Sequence, residues 1–180
     1  MKNITIRVLL DDEWELYRDT RLRALADSPD AFGSTLEKEK SFAEQDWKRR
    51  LARKDCLTLV AESPDKKSCG LIVGAPYENH AGVFSMWIDP DFRSIGLGSR
   101  LIKEVIDWAT QLEKEQILLD VGDDNLPAIK LYQSNGFKPT GTVGSLPPPR
   151  DHIKEHQRSK KLKQRNANKS ADTTPASAPR

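Results

Sequence analysis

At 180 residues and 37% apolar content, the chain suits one domain plus a tail and is long enough to bury a core. No run of about 18 apolar residues exists, so no membrane span is expected. The formal charge is only +2, but residues 151–180 are rich in Lys and Arg, so a mildly acidic body carries a basic tail.

The N-terminus, Met1 to Ile6, alternates like a strand and does not read as a signal peptide. Cys56 and Cys69 fit no zinc or redox spacing. No metal is expected, and a reducing cytoplasmic setting is the default for such cysteine usage.

In chain order, Ile4, Ile6 and Val8 alternate with polar residues and predict a first strand. Asp11 or Asp12 can cap a helix that has Glu13 in its first turn. Its face of Trp14, Tyr17, Leu22 and Leu25 runs to about Ala26. Asp27-Ser28-Pro29-Asp30 breaks it. Residues 31–40 are an ambiguous connection. Ser41-Phe42-Ala43-Glu44 has capping-box spacing and opens a helix through Trp47 to about Arg53. Strands are predicted at Leu57–Ala61, Gly70–Pro76 and Val83–Ile88, with turns at 63–67 and 78–82. His80 falls in the second turn. Three strands in meander order imply antiparallel pairing.

The stretch Val83 to Gly98 organises the rest. Asp89-Pro90 ends its apolar strand. Arg93-Ser94-Ile95-Gly96-Leu97-Gly98 follows, and then Leu97, Leu101, Ile102, Val105, Ile106 and Ala109 recur at helical spacing. A strand, a glycine-bearing turn and a helix aim free N–H groups and the positive helix end at an anion, most often a phosphate. Gly96 and Gly98 are expected to let that anion approach the backbone, with Arg93 adding a charged fork. A P-loop would need Lys and Ser/Thr after its last glycine, and a dinucleotide fingerprint a third glycine at 101; the chain has Ser99, Arg100 and Leu101.

Ile117–Val121 predicts a fifth strand, parallel to the fourth through a right-handed crossover. Asp124 or Asn125 caps the next helix, Pro127 lies in its first turn, and Asn135-Gly136 stops it before a sixth strand from Phe137 to about Val143.

Two motifs, Arg93-x-x-Gly96-x-Gly98 and Asn125-x-x-Ala128-x-x-Leu131-Tyr132-x-x-x-Gly136-Phe137, resemble the two cofactor-binding motifs of the GNAT superfamily of N-acetyltransferases. Residues 21–35 resemble the first helix and loop of a bacterial GNAT subgroup, a region that tends to wall the acceptor site. The resemblance covers roughly residues 4–145. It implies an α/β (α+β) fold with a mixed, mostly antiparallel sheet of six to seven strands and helices on both faces. It also implies acetyl transfer from acetyl-CoA to an amine, either a small molecule or a protein amine, by a monomer or homodimer.

By the same resemblance, a bulge splays the fourth strand from the fifth. Pantetheine then lies along the main chains of Met86, Trp87 and Ile88. The pyrophosphate is held by the N–H groups of Ser94, Ile95, Gly96, Leu97, Gly98 and Ser99, near Arg93. Asn125 contacts the cofactor or orders its helix. Tyr132 matches the position that protonates the departing thiolate. Read from spacing alone, Tyr132 is equally an amphipathic core residue and Asn125 a simple N-cap.

The attacking amine must be neutral, so a base or a desolvated site is needed. Many relatives place a Glu near the start of the fourth strand; here that position is Gly82. Glu37, Glu39, Asp120, Asp123, an ordered water, or no dedicated base remain as alternatives, each carboxylate also readable as a solvated surface group.

Residues 1–145 are therefore assigned to the acetyltransferase domain and 146–162 to a proline-rich link with an uncertain last strand. Residues 163–180 are a basic, polar tail expected to be disordered. Asp151–Leu162 reads as a seventh strand or a polar helix. The lesser reading is a non-catalytic CoA-binding or nucleic-acid-associated module using Lys160, Lys161, Lys163 and Arg165, but the tail has no aromatics for base stacking.

Overall fold

The computed structural model describes residues 3–163. Seven strands form one sheet: β1 (Thr5–Val8), β2 (Leu57–Glu62), β3 (Ser68–Tyr77), β4 (His80–Ile88), β5 (Gln116–Gly122), β6 (Lys138–Ser145) and β7 (Lys154–Lys161). Their spatial order is β1-β2-β3-β4-β5-β7-β6, with every neighbouring pair antiparallel except β4 and β5. The mixed sheet expected from the sequence is present, with seven strands. Residues 154–161 resolve the open alternative as a strand. They insert between β5 and β6, and 146–153 form the closed loop that leads in, with Leu146 buried and its N–H donating to the Ile153 carbonyl at 3.1 Å. Lys160 and Lys161 thus belong to the sheet, while Arg165 and the expected disorder of the tail lie outside the described residues.

Five helices cover the sheet: α1 (Trp14–Asp27), α2 (Leu36–Lys40), α3 (Glu44–Leu51), α4 (Leu97–Gln111) and α5 (Leu126–Ser134). On one face α4 buries Leu97, Leu101, Ile102, Val105 and Ala109, the stripe that its periodicity predicts, in a core shared with Ile72, Val83, Ile117 and Leu119. On the other face Tyr17 and Trp47 meet edge to face at 5.7 Å over Val60 and Leu71.

The N-terminal helices correct several local expectations. Asp11 and Asp12 do not cap α1. Glu13 is the N-cap residue, and its carboxylate accepts from the Leu10 N–H at 2.8 Å and from Arg7. The buried face of α1 includes Thr20 and Arg21, while Leu22 is only partly buried. Only half of a capping box forms, two residues further on: Asp46 Oδ2 accepts from the Ala43 N–H at 3.0 Å, the alanine has no side-chain acceptor to return it, and the Ser41 hydroxyl donates instead to the Lys38 carbonyl. His80 is the first residue of β4 rather than part of a turn.

One irregularity positions the site. Leu71 pairs with Trp87, but Val73 pairs with Phe84, so β4 carries one extra residue at Ser85–Met86. This is a β-bulge, and Ser85 takes the left-handed backbone with φ 53°. β4 and β5 pair only at Ala81–Ile117 and Gly82–Leu118. Past Gly82 the strands diverge, and the β5-facing backbone groups of β4 have no strand partner.

Candidate active site

The divergence of β4 from β5 opens a cavity of about 1200 Å³ that reaches both faces of the sheet. On the helix face it is bounded by the start of α4 and by Asn125, Ala128, Leu131 and Tyr132 of α5 and its cap. On the opposite face stand Arg21, Phe32, Phe84, Asp120 and Glu155. Met86, Trp87, Ile88, Arg93, Ser94, Gly96, Leu97, Gly98, Ser99, Asn125 and Tyr132 all line it. Ile95 does not; its side chain is exposed outside the cavity.

The turn before α4 is shaped for an anion. Ser94 and Gly96 both have positive φ, 61° and 81°, and a Cβ on Gly96 would meet nothing within 4 Å, so its outer side is open. The first hydrogen bond of α4 runs from the Arg100 N–H to the Gly96 carbonyl. The N–H groups of Leu97, Gly98 and Ser99 therefore have no helical acceptor. These groups, the concave backbone and the splayed β4 edge fit the elongated, phosphate-bearing form of CoA.

Two expected roles change. A Cβ on Gly98 would lie 2.8 Å from Leu131 Cδ2 and 3.3 Å from Ile88 Cδ1. Gly98 thus serves the close seating of α4 on α5 rather than approach of a ligand. Arg93 is not a free fork: its Nε donates to the Ile88 carbonyl at 2.9 Å, and its Nη2 pairs with Asp27. Asp27 also accepts from Trp87 Nε1 at 2.9 Å and the Ser28 hydroxyl at 2.7 Å. Burial pushes the Asp27 carboxyl up, but these donors outweigh it and hold its pKa below the usual value. The residues that break α1 thereby tie its end to the anion turn. Ile88 offers the cavity one carbonyl fewer than expected.

Asn125 is the N-cap of α5, its side chain accepting from the Ala128 N–H at 3.3 Å. At the other end Asn135 Nδ2 donates to the Leu131 carbonyl at 2.8 Å and to Ser99 Oγ at 3.0 Å, fixing α5 against the first turn of α4. Tyr132 is buried beside Phe137, ring centroids 5.9 Å apart, and its hydroxyl has no hydrogen-bond partner among the described residues. Burial pushes its phenol well above the ordinary value, so it stays protonated. Its core packing and its place on the cavity wall hold together.

The candidate bases sort clearly. Glu39 is fully buried and bound by Arg21 at 2.9 and 3.1 Å and by Arg50 at 3.0 Å. Burial pushes its carboxyl up, but the two guanidiniums overcome that and hold it at about 2. It is neither a solvated surface group nor free to take a proton. Glu37 is exposed and lies off the cavity, and Asp123 pairs with His156. Asp120 lines the cavity and accepts from the Tyr77 hydroxyl at 2.8 Å. At Gly82, a Cβ would lie 2.7 Å from Phe84 Cε2 and 2.8 Å from Tyr77 Cβ. The aromatic pair fills the space where a β4 carboxylate would start.

Arg21, Phe32 and Ser34 fall in the 21–35 stretch expected to wall the acceptor site and do line the cavity, but nothing in the sequence singles out Arg21 individually, nor Phe84 and Glu155 as lining residues, nor Tyr77 as their neighbour. Arg21 sits in a helix whose buried face is partly charged. Tyr77 and Phe84 read as ordinary strand aromatics. Glu155 lies in a segment with no apolar alternation.

The residues matched by the model of the Acetyltransferase (GNAT) family are 11–137, and the chain belongs to that family. The L-amino acid N-acetyltransferase AaaT of Escherichia coli is 27% identical over 147 residues, 79% of this chain and 87% of that protein. Human N-acetyltransferase 8 is 31% identical over 100 residues, 52% of this chain and 44% of that one, so the match spans less than half of that relative's length. The structure of yncA, described as a putative acetyltransferase from Salmonella typhimurium with its cofactor acetyl-CoA, superposes with a TM-score of 0.73 at 18% identity, covering 94% of this chain and 99% of that one. At that identity the likeness speaks for the fold.

Proposed function

We propose that the protein is an acetyl-CoA-dependent N-acetyltransferase acting on an amine. The observation that carries this reading is the bulge-driven gap between β4 and β5, with the open N-terminus of α4 at one end and the Tyr132 hydroxyl on its wall. The family match over residues 11–137 supports it.

In this reading the N–H groups of Leu97, Gly98 and Ser99 and the turn at Ser94–Gly96 hold the pyrophosphate. Unpaired β4 backbone around Met86 and Trp87 aligns the pantetheine and supplies donors to the carbonyl oxygen as it gains charge. Acetyl-CoA supplies an acyl group activated as a thioester. Tyr132, a phenol protonated at neutral pH, donates its proton to the sulfur that leaves. Asn125 and Asn135 hold α5 so that Tyr132 keeps its place.

The test is calorimetric titration of acetyl-CoA into the protein and its Gly96→Asp variant, with thiol release measured in the presence of amines. Micromolar binding that the variant loses supports the reading. No binding by the unaltered chain overturns it.

A further inference from the structure

With Gly82 closed off by Tyr77 and Phe84, the question is which group takes the proton from the amine. In the β5–β7 ladder Asp120 opposes Gln157 and Gly122 opposes Glu155. Side chains two residues apart share a face, so Asp120 and Glu155 stand on the same face, diagonal to each other on neighbouring strands. Both line the cavity on the face opposite α5.

Their states differ. Asp120 is engaged by the Tyr77 hydroxyl at 2.8 Å, and that hydroxyl in turn accepts from Gln157 Nε2 at 3.0 Å. Glu155 is half-buried and has no hydrogen bond or ion pair to its carboxylate among the described residues. The charged groups that act on it are Asp120 of β5, itself bonded to Tyr77 of β3, and Arg150 of the β6–β7 loop. Arg150 gives its Nη groups to the Pro29 and Ser34 carbonyls, while its buried Nε has no partner among the described residues. Burial first, and then the charge of Asp120, push the Glu155 carboxyl above its ordinary range, with Arg150 opposing. Beside the two carboxylates, Tyr77 and Phe84 stack at 6.0 Å. Carboxylates next to aromatic faces suit an alkylammonium group.

We propose that Glu155 is the general base, and that the acceptor is a small cationic amine held at Asp120 and Phe84, which Tyr77 supports through its bond to Asp120 and its stack on Phe84. This rests on the acetyltransferase reading above. Glu155 takes one proton from the ammonium. The freed lone pair forms the N–C bond, and the C–S bond breaks with its electron pair leaving on sulfur. Tyr132 protonates that sulfur and is restored by the second proton that nitrogen sheds. Glu155 releases its own to solvent, so each turnover yields the amide, CoA thiol and one proton.

The test measures thiol release with a fixed probe set, the standard L-amino acids, spermidine and butylamine, for the unaltered chain and for Glu155→Gln and Glu155→Asp, with acetyl-CoA titrated into each. Glu155→Gln is expected to bind acetyl-CoA normally but to lose on the order of 100-fold in kcat/KM for the best probe near neutrality. The deficit should shrink as pH rises and the amine deprotonates by itself, and Glu155→Asp should restore part of the rate. Normal rates and an unchanged pH profile in Glu155→Gln overturn the assignment and leave the acetyltransferase reading intact. Acetyl-CoA binding with no turnover of any probe by the unaltered chain overturns the cationic small-amine acceptor. Absence of acetyl-CoA binding by the unaltered chain overturns the underlying reading instead.

Discussion

Arg21 Nη1 donates to Ser85 Oγ at 3.2 Å, and so a buried guanidinium on α1 holds the residue at which β4 bulges. The same guanidinium grips Glu39 through Nε and Nη2. A non-glycine residue at φ 53° costs roughly 1–2 kcal/mol, and this network is what holds it there. Arg21→Ala should remove both contacts and leave Glu39 with Arg50 alone. We expect a stability loss of about 3 kcal/mol in urea unfolding, as when one partner of a buried ion pair is deleted. Weaker acetyl-CoA binding should accompany it as the bulge relaxes. A variant that keeps full stability would mean that the bulge is fixed by β3 and β4 alone.

Glu39 makes stability depend on acid. Its folded carboxyl lies at about 2 against an ordinary 4.5. A depressed folded value contributes stability that is fully present above the unfolded pKa and is lost as pH falls through the folded one. The window is therefore from about 4.5 down to about 2, with on the order of 3 kcal/mol at stake. Glu39→Gln should lower the melting temperature at pH 7 and flatten this acid dependence. An equally steep acid transition in the variant would assign it to other carboxylates.

The two glycines of the anion turn should separate. Gly96 sits at φ 81° with open space beside it, so Gly96→Asp adds strain and a negative charge where a phosphate is to sit. Acetyl-CoA affinity should fall at least about tenfold, roughly 1.4 kcal/mol. Gly98→Ala brings a methyl to 2.8 Å from Leu131 Cδ2 instead, so the leucine side chain must shift. Its expected cost is about 1 kcal/mol of stability with a smaller effect on affinity. Reversed rankings in calorimetry and thermal unfolding would reverse the two roles.

Tyr132→Phe removes a hydroxyl that has no hydrogen-bond partner among the described residues and keeps the ring against Phe137. Stability should therefore change little. Turnover should fall by about 10² while acetyl-CoA binding holds. Unchanged turnover would leave Tyr132 a packing residue.

Burial first, and then the like charge of Asp120, raise the Glu155 carboxyl. Asp120→Asn should let Glu155 ionise at lower pH, so the acid limb of kcat/KM should move down. A limb that stays in place would mean that burial alone sets it.

How much of this was legible follows from where each element gets its stability. The α4 stripe and the two motifs are written locally, in apolar spacing and in glycines at helix ends. β7 is not. Only Arg158 among its residues is buried, and the others are half-buried or exposed. Ladders on both sides hold it, and backbone pairing leaves no mark in side-chain type. The Arg21–Glu39–Arg50 cluster was hidden for a related reason: charged residues read as solvent-facing until a partner distant in sequence neutralises them. The bulge, which Arg21 contacts at Ser85, was legible only through family resemblance.

The insertion of β7 between β5 and β6 has a consequence for assembly. As the chain leaves the ribosome, β5 emerges with one edge unpaired and β6 with no strand to pair with, and the strand that joins them arrives afterwards. Until then both carry unpaired edges that a neighbouring nascent chain's β7 would match equally well. Strand exchange between two copies is thus the misassembly this topology invites. In such a pair each catalytic centre would borrow its glutamate from the other molecule.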